Sequence, residues 1–315
     1  MNRAVWALAV AAAACRSDGA GRYPSRPIKY LICFEPGGQS DREARRQQPL
    51  LEKALGQKVL LDYRVGGGGA LCWTELAHAR ADGYVIAGIN LPHIVLQPLR
   101  QQSGYATEDL VPIALFQRTP LALVVLKESL YRTLDDLLRS ARAEPDTVTV
   151  GGSGTFTGPH FMARRLARLA GARLKYVPFN GSAPVITSLL GGHTLASVAF
   201  SDDLVRYAGQ IRVLALADAA RFAAAPDAPT FRELGQEIVE VVDRGVAVPR
   251  GTPAEVVSAL EAAFLAVMRD PAVREQMMGE GFIPISMGSA ESARHIALLK
   301  ARYADALEEL AEASP

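Results

Sequence analysis

At 315 residues, 49% hydrophobic and 21% charged, the chain is long enough for about two globular domains with sizeable cores. Its 34 Lys and Arg stand against 33 Asp and Glu, so nothing in the net charge argues for a nucleic acid or an anionic membrane as the main partner. Three scattered cysteines offer no metal spacing, so neither a metal nor a cofactor is expected.

The chain opens with MNR, the apolar stretch AVWALAVAAAA and Cys15, followed by the polar RSDGAGR. The apolar stretch is too short for a permanent bilayer helix, so residues 1–22 read as a bacterial export signal and linker. Ala12, Ala13, Ala14 and Cys15 resemble a lipobox without its usual leading leucine. Cys15 is then either a lipid-attachment residue or a bystander near an ordinary cleavage site. Cys33 falls in an apolar strand and Cys72 on a helix face; both are expected to be small buried hydrophobes rather than a disulfide.

Near-continuous apolar runs at 28–34 (IKYLICF), 58–64 (KVLLDYR) and 84–89 (YVIAGI) read as buried strands. Between them, SDREARRQQPLLEKALG closes on Gly56 and ALCWTELAHARADG on Gly83, as helices do. The alternation implies a parallel sheet with helices on both faces. Pro49 removes a donor from the first helix, at a cost near ~3 kcal/mol, and predicts a kinked or shortened helix. The basic clusters REARR at 42–46 and ARRLARL at 163–169 read as solvated helix faces.

Further strands are predicted at 121–127, 147–152, 174–179, 194–200 and 211–217, separated by helices, before three helical stretches that end the chain. This is an α/β protein of two lobes: 23–122 and a return segment 216–315 with a helical C-terminus form one, and 123–215 the other. The strands near 121–125 and 212–217 are the expected crossovers of a two-strand hinge.

Three glycine turns lie where strands give way to helices, the position at which open parallel sheets bind ligands. In CFEPGGQSD, Gly37 and Gly38 permit close approach, while Ser40 and Asp41 can cap the helix and leave amides for an anion. VTVGGSGTFTGPHF repeats the device with Ser153, Gly154, Thr155 and Thr157, and VPFNGSAP with Asn180, Gly181, Ser182 and Ala183. A hydrogen bond to a charged group is worth roughly 1.5–3 kcal/mol, whereas micromolar affinity needs about 8 kcal/mol. One turn is therefore too weak, and turns from both lobes must close on a small anion together.

Other readings fail on spacing. VGGGGA at 65–70 lacks the Lys-Ser/Thr ending of a phosphate loop, and in GGSGT Thr155 replaces the last glycine of a nucleophile elbow. His160 and His193 stand near the turns without an identifiable carboxylate partner. Asp202 and Asp203, after TLASVAFS, either cap a helix or reach the cleft, and the cap is the preferred reading.

YPSRPIKYLICFEPGGQSD, DGY at 82–84, GGSGTFTGPHF, YVPFNGSAP with LLGGH, IRVLALA and RGVAVPRGTP at 244–253 follow one another in an order that resembles the periplasmic solute receptors of tripartite tricarboxylate transporters, the Bordetella uptake gene product family. The resemblance runs from about Tyr23 to Leu310. It implies a type II periplasmic binding fold closing on a carboxylate, with Pro36 to Asp41 holding the carboxylate partly through water, Ser153 to Thr157 meeting it from the other lobe, and Asn180 to Ala183 lining the cleft. The ligand contacts expected on this basis are Phe34, Pro36, Gly37, Gly38, Gln39, Ser40, Asp41, Ser153, Gly154, Thr155, Thr157, His160, Asn180, Gly181, Ser182, Ala183 and Ser201. Glu35, Gln39 and Ser40 depart from the family pattern, and an acid at Glu35 disfavours a fully anionic ligand unless a cation compensates. The expectation is a monomeric periplasmic receptor, not an enzyme, that delivers a small organic acid to a membrane transporter. A receptor feeding a sensor kinase, and an enzyme using His160 or Asp41 as a base, are the competing readings.

Overall fold

The computed structural model describes residues 23–100 and 102–312, so the expected export signal and Cys15 lie outside the described residues. In the first lobe, β1 (Ile28–Ile32) pairs in parallel with β2 (Val59–Tyr63) and β3 (Val85–Leu91). The connections are α1 (Gln39–Leu55) and α2 (Ala70–Ala77), and α3 (His93–Arg100) follows β3. Along β1, Ile28, Tyr30 and Ile32 enter one core with Phe116 and Phe264, while Leu31 and Cys33 enter another with Trp73 and Tyr303. Both faces are covered, which is why the strand reads as an unbroken apolar run.

The lobes are joined by β4 (Leu110–Leu126), a 17-residue strand whose first half belongs to one sheet and second half to the other. The second lobe adds α4 (Leu134–Ala143), β5 (Thr149–Ser153), α5 (Gly158–Leu169), β6 (Lys175–Phe179), α6 (Ser182–Leu190), β7 (Ala196–Phe200), α7 (Ser201–Arg206) and β8 (Ile211–Leu216). Its strands run β4-β7-β5-β6, with β8 also on β4. The chain returns through β9 (Val241–Pro249), which lies between β3 and β4 and is antiparallel to both. It ends with α8 (Ala254–Arg269), α9 (Pro271–Gly279), β10 (Ile283–Gly288) and α10 (Ser289–Glu312).

Four expectations need correction. β8 stays in the second sheet, so 212–217 is not a crossover; the return passes through the segment where Glu240 donates to Ala217 O and accepts from Leu121 N–H. Phe231, Ile238 and Val242, just before and at the start of β9, pack into the second lobe's core. α1 runs unbroken through Pro49, which faces solvent, so water can satisfy the carbonyl freed in the preceding turn. Cys33 and Cys72 form a disulfide with Cα atoms 5.1 Å apart, because α2 presents Cys72 to the carboxyl end of β1. Their separation of 39 residues carried no hint of that proximity.

The REARR segment is also less solvated than its spacing implies. Arg46 is buried between Glu43 and Glu280, and Arg42 reaches Asp202 of the second lobe. Only Arg45 points largely to solvent, pairing with Asp41 at 2.7 Å.

Candidate functional site

The glycine turns meet at the carboxyl ends of β1, β5 and β6. Gln39 N–H donates to Ser182 Oγ at 3.1 Å, and Glu35 N–H to the Asn180 carbonyl at 3.2 Å. A Cβ on Gly38 would come within 3.1 Å of Ser182 Oγ, so this glycine serves the approach of one lobe to the other. Gly68 (φ +64) and Gly154 (φ +76) do the same on the other side; a Cβ on Gly154 would sit 2.7 Å from Gly68 Cα.

Between the lobes lies a cavity of about 10 Å³, lined by Phe34, Gln39, Ser40, Asn90, Ser153, Ser182, Phe200 and Arg244. That is the space of about one water molecule. The halves are therefore shut, and the seam is held by side chains: Gln39 and Arg42 of α1 both donate to the Asp202 carboxylate of α7, and Ser201 Oγ donates to Gly281 O at 2.6 Å.

Five of the expected contacts, Phe34, Gln39, Ser40, Ser153 and Ser182, share this cavity. The others do different work. Pro36, Gly37, Thr155 and Asn180 are exposed, and Asn180 contributes its main-chain oxygen alone. Gly181 packs its backbone against Glu35 N. Ala183 and Glu35 line an outer groove of about 620 Å³ with His193, so Glu35 does not sit on the central cavity. Thr157 caps α5 by accepting from His160 N–H. His160 Nδ1 accepts from Phe156 N–H at 3.1 Å with its ring against Tyr176, and burial and Arg164 push its pKa down to about 4.

Ser40 is not a helix cap: the N-cap of α1 is Gly38, which offers no side chain. Asp41 folds back instead, accepting from Gly37 N–H at 2.8 Å, Arg45 Nε and Tyr63 OH. Burial opposes its charge, but those hydrogen bonds hold its pKa below the ordinary carboxylate value. The amides of Ser40 and Asp41, in the first turn of a 17-residue helix, have no partner among the described residues.

Asp203 caps α7 by accepting from Phe200 N–H, as expected. Burial and then the neighbouring Asp202 push its pKa up to about 8. Asp202 departs from the cap reading and turns across the cleft; burial raises its pKa against the pull of Arg42 and Gln39.

Asn90, Phe200 and Arg244 were missed by sequence reasoning. Asn90 and Arg244 face each other across the β3–β9 pair, and the signal was available: an Asp-Arg pair inside VVDRGVAV is unusual for a buried strand.

Residues 44–311 match the family described as tripartite tricarboxylate transporter family receptor, and the chain belongs to that family. It is similar to BugT of Bordetella pertussis, 30% identical over 272 residues, which are 84% of this chain and 83% of that protein. Among solved structures, MatC of Rhodopseudomonas palustris with bound malate superposes with a TM-score of 0.85 at 25% identity, covering 90% of this chain and 99% of that one. A second R. palustris protein, solved with adipate, gives 0.84 at 26%, covering 92% and 97%. The fold is that of two-lobed periplasmic binding proteins, and the family is one of transporter receptors.

Proposed function

We propose that this protein is a periplasmic receptor that shuts its two lobes around a small carboxylate and delivers it to a membrane transporter, without a catalytic step. The carrying observation is the shared cavity, where Ser40, Ser153 and Ser182 hydroxyls from both sheets converge beside the free amides at the start of α1. A helix N-terminus with unpaired amides favours an anion. The malate and adipate found in similar receptors support a carboxylate. Phe34, Gln39, Ser40, Ser153 and Ser182 are the contacts we assign first; Pro36, Gly37 and Thr155 flank the mouth.

Admitting such a ligand requires the seam to part, since the closed cavity holds no more than about one water. We assign the lobes to 23–117 and 241–312 on one side and 121–240 on the other, with the bends at 118–120 and near 240 as the hinge. His160 Nδ1 accepts from Phe156 N–H, so the neutral ring carries its proton on Nε2 and has no free lone pair to act as a base. The disulfide fits an oxidising compartment and thus the export signal of residues 1–22; an intact mass from membrane and soluble fractions distinguishes lipidation at Cys15 from simple cleavage.

The test is a thermal-shift and calorimetric panel of mono-, di- and tricarboxylates. A specific ligand at a hundred times its Kd adds about 2.7 kcal/mol and raises the melting temperature by mass action. S153A should weaken binding several-fold with little change in the unliganded melt, and S182A should weaken it while also lowering that melt, because it removes the acceptor of Gln39 N–H. No shift with any acid, or unchanged affinity in both variants, overturns the reading.

A further inference from the structure

Arg244 is a buried cation with no direct carboxylate partner among the described residues. Its side chain lines the central cavity and also a second small cavity beside Ser40 and Asn90. It donates one hydrogen bond, to Thr119 Oγ1 at 3.1 Å, and lies 5.1 Å from the centre of the Phe200 ring. Nε has no partner, and no carboxylate among the described residues pairs with it. Of the acids that attract it, Asp202 and Glu43 each hold a nearer guanidinium, Arg42 and Arg46, and Asp203 accepts from Phe200 N–H. Burial lowers the Arg244 pKa to about 10, so the group stays charged at neutral pH.

Leaving a guanidinium desolvated without a direct counter-ion is costly, and native proteins avoid it by pairing such groups. Gln39 Oε1, on the opposite wall of the same cavity, is likewise without a donor. The α1 amides and the Ser40, Ser153 and Ser182 hydroxyls reach the cavity from α1, β5 and α6, and Arg244 reaches it from β9, so groups that can recognise an anion come from separate elements.

We infer that Arg244 is the specificity-determining partner of a second acidic group on the ligand, so that the cleft selects small dicarboxylates over monocarboxylates of equal length. This rests on the carboxylate-receptor reading above. One carboxylate takes the amides and hydroxyls at the start of α1, and the other takes the planar fork of Arg244 in a charge-assisted pair. Asp202 and Glu43 do not compete for the fork, since their own cations hold them. Asp203 does not either, because its carboxylate is turned onto Phe200 N–H.

The test compares affinities in matched pairs, malate against 2-hydroxybutanoate and adipate against hexanoate, for the wild-type protein and R244Q. At least one pair should show a tenfold or greater preference for the diacid in the wild type. R244Q should bring that ratio within about threefold of unity while leaving monoacid affinity in place, which a merely structural role for Arg244 would not do. If R244Q does not fold, R244K keeps the charge but loses the fork, and its ratio should fall at least threefold. A diacid preference that survives in the folded variant, or a wild type that binds both members of each pair equally, overturns the assignment and leaves the receptor reading standing. Binding of none of the four acids by the wild type overturns the assignment, and the wider panel of carboxylates then decides the receptor reading.

Discussion

Asp243 and Arg244 are consecutive residues of β9, so their side chains leave the strand on opposite faces. Asp243 accepts from Arg118 Nε and NH2, both at 2.8 Å, and is hydrogen-bonded to His295 Nε2 at 2.8 Å. These interactions hold its pKa down against the burial that would raise it. Arg244, on the other face, has a single hydrogen bond and an unpartnered Nε. The same strand thus carries a charge that is saturated where it ties α10 to the sheet and one that is unsaturated where it meets the cleft. Structural charges are closed within the chain, whereas a charge meant for a ligand keeps spare donors at a cost in stability.

The largest effects belong to the saturated scaffold. The Cys33–Cys72 bond closes a loop of 39 residues, for which chain entropy gives about 4 kcal/mol. A C33S/C72S double variant should melt about 8 °C lower by calorimetry. Because the bond braces the strand that ends at the Phe34 wall, ligand affinity should fall with it, and an unchanged affinity would show that the cleft wall does not depend on this brace. Next comes D243N, which leaves Arg118 and His295 without their buried counter-charge. Losing one partner of such a pair costs about 3 kcal/mol, or about 6 °C. R244Q should cost less than D243N in the same unliganded melt, because it removes a group that few contacts repay. The reverse order would break the distinction between the two faces.

Titration sharpens the comparison further. Asp203, raised to about 8, is protonated in the folded state and ionised in the unfolded one over the range from about 4 to 8. Its contribution is therefore complete at low pH and is lost as pH rises towards 8. His160, lowered to about 4, and His93, lowered to about 3 by burial, act oppositely. They stay neutral in the fold while the unfolded chain takes up protons below about 6.5, so their contribution is lost as pH falls. Between about pH 6.5 and 8 the melting temperature should fall. D203N keeps an oxygen for Phe200 N–H and should lessen that decline; a decline of unchanged size in D203N assigns it to other groups.

Much of this was legible in the sequence and some was not, for physical reasons. The parallel strands β1, β3 and β5 declare themselves as apolar runs because both of their faces are covered. The first half of β4 does not, since Pro112, Gln117, Arg118, Thr119 and Pro120 break its pattern while the strand bulges between Pro112 and Ala114. β9 hides for the same reason, its apolar run interrupted by the very pair that defines its two faces. The glycine turns locate the cleft, but which side chain fills it depends on pairing across 125 or more residues, as with Arg244 on Thr119 and Gln39 on Asp202. Local spacing holds no trace of such pairs. Pro49 misleads in the opposite direction, because a helix that faces solvent at that position can hydrate the freed carbonyl.

The smallest effect separates two hydroxyls that the sequence places in one turn. Thr157 Oγ1 donates to Gly154 O at 3.2 Å and accepts from His160 N–H, so it is a closed cap on α5. Ser153, four residues earlier, lines the cavity, and its hydroxyl has no hydrogen bond among the described residues. T157A should lower stability by about 1 kcal/mol, or about 2 °C, and leave ligand affinity within twofold. S153A should do the opposite, with an unliganded melt within a degree of wild type and several-fold weaker binding. If T157A is the variant that loses affinity, the turn itself rather than its cavity-facing hydroxyl positions the ligand, and the division between closed and open polar groups does not extend to the second lobe.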